Sequence, residues 1–565
     1  MVCTSAALLL LGLALSTASV RSAAAGAPST VVTGAGPVRG VANSQWRAFR
    51  GIPFAAPPLG KLRWAPPAPP AAWGPATLDA TGYRHNCIQA PSSYPAQPRE
   101  TLSEDCLYLN VFTPPNATAA AKLPVMVWVH GGSYNSGGAN ESRLNATFTA
   151  ALTDDMVVVV ANYRLNVFGF LGAEELRPRD AKGGTGNYGI LDQRAALRWV
   201  QANVAAFGGD PARVMLAGES AGGASVHNHL VRKASFGLFS RAVIESGGYT
   251  LVYPQPEAPD MEDSFGKLLK QAKCADAACL QELDADALLA ASSGLSFQPA
   301  VDGVDLTDQV AALFERGALA PGVPLLVGSV REDIGFTLPS ITCTGGGEGN
   351  CSEGDFAAFA ATAAKEFGPA FNATRLQEIY AAAEVALPGG NNTKWFWAGV
   401  HAGADATMIC PARHTAMWLN AAAAAAAPSA AKPKAFLYLF AHTPIGHAYP
   451  DGAFHTSEIP FVFHVLSATG PDAEKMHLHG DAEVELSAGI TTYWRNFASS
   501  GDPNVHAPDG GSEMQLPTWP AYDRNAEDTT MVFGKMDGTD DDGMPAASAG
   551  LKRLQCDFWD AQWNW

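Results

Sequence analysis

Six short, uninterrupted apolar runs constrain this chain more than anything else in it: VMVWVH (125–130), MVVVVANYR (156–164), RVMLAGES (213–220), AVIESG (242–247), VPLLVGS (323–329) and AFLYLF (435–440). A strand with one wet face alternates apolar and polar residues, so runs without alternation belong to strands covered on both faces. Between the second and third runs lies LDQRAALRWVQANVAAFGGD. Here Leu191, Ala195, Trp199, Val200, Val204 and Phe207 recur at helical spacing, and Gly208 supplies the stop. Buried strands alternating with helices predict an α/β class: a central, mostly parallel twisted sheet with helices on both faces. No internal repeat is evident. The alanine run at 421–427 has no apolar period and stands just before a strand, so it reads as a surface connection.

Composition bounds the function. With 565 residues, 47% hydrophobic and 16% charged, the chain has the material for a large core. Its net charge of -17, with no basic run to offset it, repels nucleic acid phosphates and anionic membrane surfaces, so no nucleic-acid partner is expected. At the start, MVCTSAALLLLGLALSTASVRSAAAG has an apolar run too short to span a bilayer, followed by small residues. It reads as a secretory signal peptide over about 1–25; no Lys or Arg precedes the run, which leaves a signal anchor or a transit peptide as the alternatives. One domain is expected over 26–565, and no other stretch is a transmembrane candidate. Of nine cysteines, Cys3 leaves with the signal, and the other eight form an even set suited to disulfides in an oxidising compartment. Six N-x-S/T sequons, at Asn116, Asn140, Asn145, Asn350, Asn372 and Asn391, also point to the secretory pathway. No metal-ligand spacing is present, and Asp540, Asp541 and Asp542 lack the ligand spacing of a calcium loop. No cofactor or metal is expected.

Within the third run, GESAGG (218–223) sets Ser220 where a strand ends and the small-residue segment AGGASVHNHL begins. A sharp strand-to-helix turn strains the backbone, and bulky side chains at 218 and 222 would clash there. Such a turn lifts a serine hydroxyl over a helix N-terminus, which favours developing negative charge. A serine is a poor nucleophile by itself and needs a histidine base, an acid to orient that base, and donors for the oxyanion. Upstream, VMVWVHGGSYNSGG places Gly131, Gly132 and Ser133 after a strand with little side chain to hide their N–H groups. With the Ala221 N–H, those of Gly132 and Ser133 make the candidate oxyanion hole.

A chain of motifs now gives a resemblance: RAFRGIPFAAPPLGKLRW (47–64), SEDCLYLNV (103–111), WVHGGSY (128–134), NYRLNVFGFL (162–171), GNYGILDQRAALRWV (186–200), FGGDP (207–211) and GESAGG. Together they resemble the type-B carboxylesterase and lipase family, the cholinesterase-like branch of the α/β-hydrolase fold. The resemblance implies a serine esterase without a cofactor, acting on a small-molecule ester. It selects His455, in FHTSEIPFVF, from thirteen histidines as the base, with His447 a loop or pocket residue. In VPLLVGSVREDIGF it selects Asp333 as the acid over its neighbour Glu332. There the chain departs from the family, which usually has glutamate then glycine where this sequence has Asp333 then Ile334. Three further polar residues match supporting positions around the triad: Glu219, Ser246 and Glu458. The family's structural ion pairs fall on Arg164 with Asp192 and Arg63 with Glu104. Its disulfides pair Cys87 with Cys106, Cys274 with Cys279 and Cys410 with Cys556, which leaves Cys343 and Cys351 as a fourth bridge.

Substrate choice is less legible. Cholinesterases place a tryptophan between the first two of these cysteines to attract a quaternary ammonium. The segment CIQAPSSYPAQPRETLSEDC has none, only Tyr94, which disfavours choline esters. That segment is also short and polar beside the apolar lid of the family's lipases, which favours soluble esters of small to medium acyl chains. Leu295 and Phe297 match the acyl pocket and Phe336 the gorge, or all three are core. A lipase or thioesterase using the same site, and a catalytically silent neuroligin-like binding protein, stand as alternatives. The terminal FWDAQWNW is a packing contact, a partner surface or a docked helix, and the oligomeric state is not legible.

Overall fold

The structure, a computed structural model, describes residues 27–90, 97–252, 254–333, 341–344, 350–382, 394–425, 432–445, 452–468, 477–505, 515–535 and 545–562. The segment 1–25 expected to be a signal peptide, Tyr94, Ile334, Phe336, Asn391, His447, the aspartates at 540–542 and Trp565 lie outside those residues.

Among the described residues, twelve strands run in one order through the main sheet. In chain order they are β1 (Ala27–Thr33), β2 (Gly36–Ala42), β3 (Arg47–Pro53), β4 (Tyr108–Thr113), β5 (Leu123–Val129), β6 (Val157–Ala161), β7 (Gly209–Glu219), β8 (Arg241–Glu245), β9 (Leu325–Val330), β10 (Ala435–Phe440), β11 (Thr529–Phe533) and β12 (Ala546–Ala549). Side by side they lie in the order β1-β2-β3-β4-β6-β5-β7-β8-β9-β10-β11-β12, and the two-residue strand Leu78–Asp79 pairs with β2. From β6 to β11 every pairing is parallel. The edges, β1 to β4 with β6 and β11 with β12, are antiparallel.

The six apolar runs all lie in the parallel part, and their lack of alternation follows from two cores, one on each face. Val125, Val127, Val214, Leu216 and Ile244 enter one core with Trp199 and Val200 of α1 (Tyr188–Asn203), Ala224 of α2 (Ala221–Val231) and Leu419 of α3 (Cys410–Ala425). The intervening Met126, Trp128, Met215, Ala217 and Val243 enter the other with Ile490, Trp494 and Phe497 of α4 (Gly480–Ser500). Helix α1 passes into a 3-10 turn at Val204–Phe207 and stops at Gly208, whose φ is 96°. The α/β-hydrolase architecture expected from the sequence is the one observed.

One expectation fails. The first five alanines of the 421–427 run are the last residues of α3, with Ala423 buried, not a surface connection. Alanine loses no side-chain entropy in a helix, so it extends one already begun at Cys410 and anchored by buried Trp418 and Leu419, without needing an apolar period of its own.

At the far end, α5 (Arg553–Asp560) docks on the body, burying Trp559, whose indole N–H donates to the Tyr380 hydroxyl at 3.0 Å. Disulfides join Cys87 to Cys106, Cys274 to Cys279, Cys343 to Cys351 and Cys410 to Cys556. Arg164 meets Asp192 at 2.7 Å and Arg63 meets Glu104 at 2.6 Å. No described helix is long and apolar enough to cross a membrane.

Candidate active site

Residues singled out in the sequence converge at the carboxyl ends of five adjacent strands, β5, β7, β8, β9 and β10. In an open parallel sheet this is the edge where connecting loops gather to form sites. Ser220 follows β7 with φ 56° and ψ -123°, a left-handed conformation that a serine adopts only when its surroundings impose it. Two bonds fix it: its N–H donates to the Glu245 carbonyl at 2.9 Å, and its carbonyl accepts the Ala224 N–H at 2.8 Å. The flanking glycines are required by close approach. A Cβ on Gly218 would lie 2.6 Å from the backbone of Gly222, and one on Gly222 would lie 2.0 Å from the Val129 carbonyl oxygen. Strand β5 and helix α2 thus press together around the turn, and α2 begins at Ala221, immediately after the serine.

The loop after β5 abuts that turn, since a Cβ on Gly131 would come within 3.0 Å of the Ser220 Cβ. Gly132, Ser133 and Tyr134 all have positive φ, at 108°, 53° and 59°. The Gly132 carbonyl is taken by the N–H groups of Asn135 and Ser136, both at 2.9 Å, and the Tyr134 carbonyl by that of Asn166 at 2.7 Å. No described residue accepts from the N–H groups of Gly132, Ser133 or Ala221. Behind the loop the His130 ring stacks on Tyr163 at 4.5 Å, and the Tyr163 hydroxyl donates to the His130 carbonyl at 3.0 Å.

His455 and Asp333 meet at 2.6 Å through Nδ1 and Oδ1. The other ring nitrogen, Nε2, lies 3.3 Å from Glu219 Oε1. Asp333, Glu219, Glu245 and Glu458 are all essentially buried. Trp494 donates to one oxygen of Glu245 at 2.8 Å, whereas no described residue hydrogen-bonds the Glu219 or Glu458 carboxylates. Burial pushes Glu219 well above the usual carboxylate range, against the pull of His455 and Arg143. Burial also raises Glu245 and Glu458, and each feels the charge of Glu219. For His455 burial acts downward, but the Glu219 and Asp333 charges outweigh it and lift the imidazole to about 9. Glu219 and His455 are therefore one titrating pair: protonating the carboxyl removes much of the lift on the ring.

Ser246 donates its N–H to the Gly328 carbonyl at 2.9 Å with φ 47°, and its hydroxyl has no partner among the described residues. Glu332 has its oxygens engaged by Arg331, His401 and the Ala453 N–H, whereas the imidazole is bonded by Asp333. Phe297 is buried in the first core and Leu295 packs against it. Among the described residues no cluster of His, Cys, Asp and Glu fits a metal ion.

Sequence reasoning passed over Glu245 and the pair of Arg143 with Glu141 at 2.7 Å. Glu245 did carry a signal, because a carboxylate closing an apolar run covered on both faces must be buried. Arg143 carried none.

The match to known proteins is extensive. The model of the carboxylesterase family matches residues 27–559. Human cocaine esterase is 32% identical over 548 residues, covering 92% of this chain and 87% of that protein. The para-nitrobenzyl esterase of Bacillus subtilis (strain 168) is 32% identical over 517 residues, covering 89% and 94%. Among solved structures, a Geobacillus stearothermophilus carboxylesterase superposes with a TM-score of 0.73 at 29% identity, covering 95% of this chain and all of that one. Sheet order, the strained serine turn and these matches agree: the chain belongs to the carboxylesterase family.

Proposed function

We propose that this carboxylic ester hydrolase works through an acyl-enzyme formed on Ser220, with His455 as base and Asp333 as the acid that orients it. Ser220 Oγ attacks the ester carbonyl as His455 Nε2 takes the hydroxyl proton. The tetrahedral oxyanion is held by the N–H groups of Gly132, Ser133 and Ala221, and the alcohol departs with the proton carried by His455. A water molecule then attacks the acyl-enzyme, giving its proton to His455, and the acid leaves as Ser220 recovers a proton. Asp333 keeps the proton on Nδ1, so that Nε2 is the basic nitrogen, and stabilises the imidazolium.

The observation that carries this reading is the 2.6 Å bond from His455 to Asp333. It also supports Asp333 over the adjacent Glu332, whose oxygens are committed to Arg331, His401 and the Ala453 N–H.

The direct test is hydrolysis of p-nitrophenyl acetate, butyrate and decanoate by the wild type beside Ser220→Ala, with folding checked for both. Hydrolysis lost in the alanine form supports the serine as nucleophile. A profile favouring acetate and butyrate supports an esterase of small to medium acyl chains, and one favouring decanoate supports a lipase. No turnover by folded wild type points to the binding-protein alternative. Asp333→Asn and Glu332→Gln decide the acid: activity surviving the first and lost in the second reverses the assignment.

Export is part of the same proposal. Four disulfides support an oxidising compartment, and Asn116, Asn350 and Asn372 are exposed where a glycan would attach. Asn140 donates its amide to the Arg84 carbonyl and is less available. Enzymatic removal of N-glycans from the secreted protein, read by mass, tests this site by site.

A further inference from the structure

Two adjacent residues at the end of β9 each grip the segment that carries His455. Asp333 holds the imidazole; Glu332 holds the backbone two residues earlier. The Glu332 N–H donates to the Ala453 carbonyl at 3.0 Å, and the Ala453 N–H donates to Glu332 Oε2 at 2.6 Å. A parallel bridge pairs Glu332 with Phe454. The other oxygen, Oε1, accepts from Arg331 Nε and lies 2.9 Å from His401 Nε2, on the helix Lys394–Ala404. Arg331 is itself anchored, its N–H to the Phe440 carbonyl at 2.8 Å and Nη1 to the Lys535 carbonyl at 2.9 Å. Gly452 closes the fit: a Cβ there would lie 2.7 Å from Glu332 Oε2, and its φ is 122°.

We propose that Glu332 is a positioning residue, whose carboxylate, anchored by Arg331 and His401, fixes the backbone at Ala453 and so sets the approach of His455 to Ser220. This rests on the assignment of Ser220, His455 and Asp333 made above. A carboxylate serves here because it accepts from three groups at once, and a buried carboxylate left unmatched is costly. Burial would raise Glu332, but the His401 bond and the Arg331 charge outweigh it and hold it below the usual range, so it stays ionised. Burial keeps His401 below the ordinary histidine range, so that a neutral ring donates through Nε2.

The test is kcat and KM on p-nitrophenyl acetate, per active site counted with a fluorophosphonate, for Glu332→Ala, Glu332→Gln and His401→Gln. A displacement of about an ångström at a reacting group costs on the order of 10²-fold. Glu332→Ala is therefore expected to lose ~10²-fold in kcat, with KM within about twofold. Glu332→Gln, which still accepts the Ala453 N–H, is expected to lose ~10-fold, and His401→Gln less. The low-field proton resonance of the His455–Asp333 bond should shift or broaden in the alanine variant. If Glu332→Ala does not fold, the two glutamine variants carry the test.

Wild-type kcat per site in the Glu332 variants, with Ser220→Ala and Asp333→Asn inactive, overturns the positioning role and leaves the triad standing. Full turnover by Ser220→Ala overturns the triad reading itself. A loss confined to the fraction of folded sites, with the resonance unmoved, marks Glu332 as merely structural and also overturns the proposal.

Discussion

Helix α2 is flanked at its two ends by buried charge of opposite design. At its N-terminus, Glu219, Glu245, Glu458 and Asp333 crowd around Ser220 and His455, and burial drives the three glutamates upward. At its C-terminus, Asp305 meets Arg194 at 2.7 Å and Arg232 at 2.5 Å, and Arg232 also donates to Asn187 and Asn228 at 3.0 and 2.9 Å. Burial would raise Asp305 as well, yet the two guanidinium groups outweigh it and hold the carboxyl well below its usual range. Burial acts upward on all four carboxyls, less completely on Asp305, whose side chain keeps 14% exposure, and the two guanidinium groups matched to Asp305 reverse the sign there. Matched charge holds the chain together; carboxylates short of cations keep protons in play beside the proposed nucleophile.

The largest expected effect breaks the catalytic end alone. Asp333→Asn should lower kcat by roughly 10⁴-fold, because an amide in place of the carboxylate favours the wrong tautomer of His455. Thermal unfolding should barely change, which calorimetry on the same sample checks. The reverse dissociation belongs to Asp305→Ala. It leaves Arg194 and Arg232 buried without their carboxylate and should cost about 3–5 kcal/mol in denaturant unfolding. Activity per active site should be unchanged. Because the folded form holds Asp305 low, its contribution is present above ~4, the unfolded value, and fades as pH falls below it. The gap between wild type and variant should narrow on acidification. A gap independent of pH would mean that packing, not charge, accounts for the loss.

A finer effect concerns the titrating pair. Glu219 lifts His455, so Glu219→Gln should lower the imidazole pKa. The base must be unprotonated to act, so the acid limb of kcat/KM should move to lower pH, by about a unit or more. An unmoved limb would show that Glu219 is already neutral where His455 titrates.

How much of this was legible in the sequence follows from the range of each interaction. The parallel strands were legible because burial on both faces removes alternation, and that is written locally in runs such as MVVVVANYR. Strands β1 to β3 were not singled out: β2 exposes Arg39 between buried Val38 and Gly40, and such edge segments resemble loops. The serine turn was legible because its strain demands small neighbours within two residues. The choice between Asp333 and Glu332 was not open to local reasoning, since it depends on partners 122 and 121 positions away. His401 and Trp494 join the site only through tertiary packing, 69 positions from Glu332 and 249 from Glu245, and no spacing announces them.

The smallest expected effect tests whether protons really are held at the catalytic end. Glu245 is fully buried, accepts one hydrogen bond from Trp494, and is pushed upward by burial and by the Glu219 charge. If the carboxyl is neutral in the folded protein, Glu245→Gln replaces it with a neutral group of the same shape that can still accept from the indole. Stability near pH 4 should then change by less than ~1 kcal/mol. The unfolded chain ionises Glu245 above ~4.3, whereas the folded chain resists, so wild type loses stability as pH rises through that value and the glutamine variant does not. Between pH 4 and 7 the variant should therefore gain on wild type in thermal unfolding. If it loses ground instead, Glu245 is ionised in the folded state, and the contrast between the two ends of α2 rests on Glu219 and Glu458 alone.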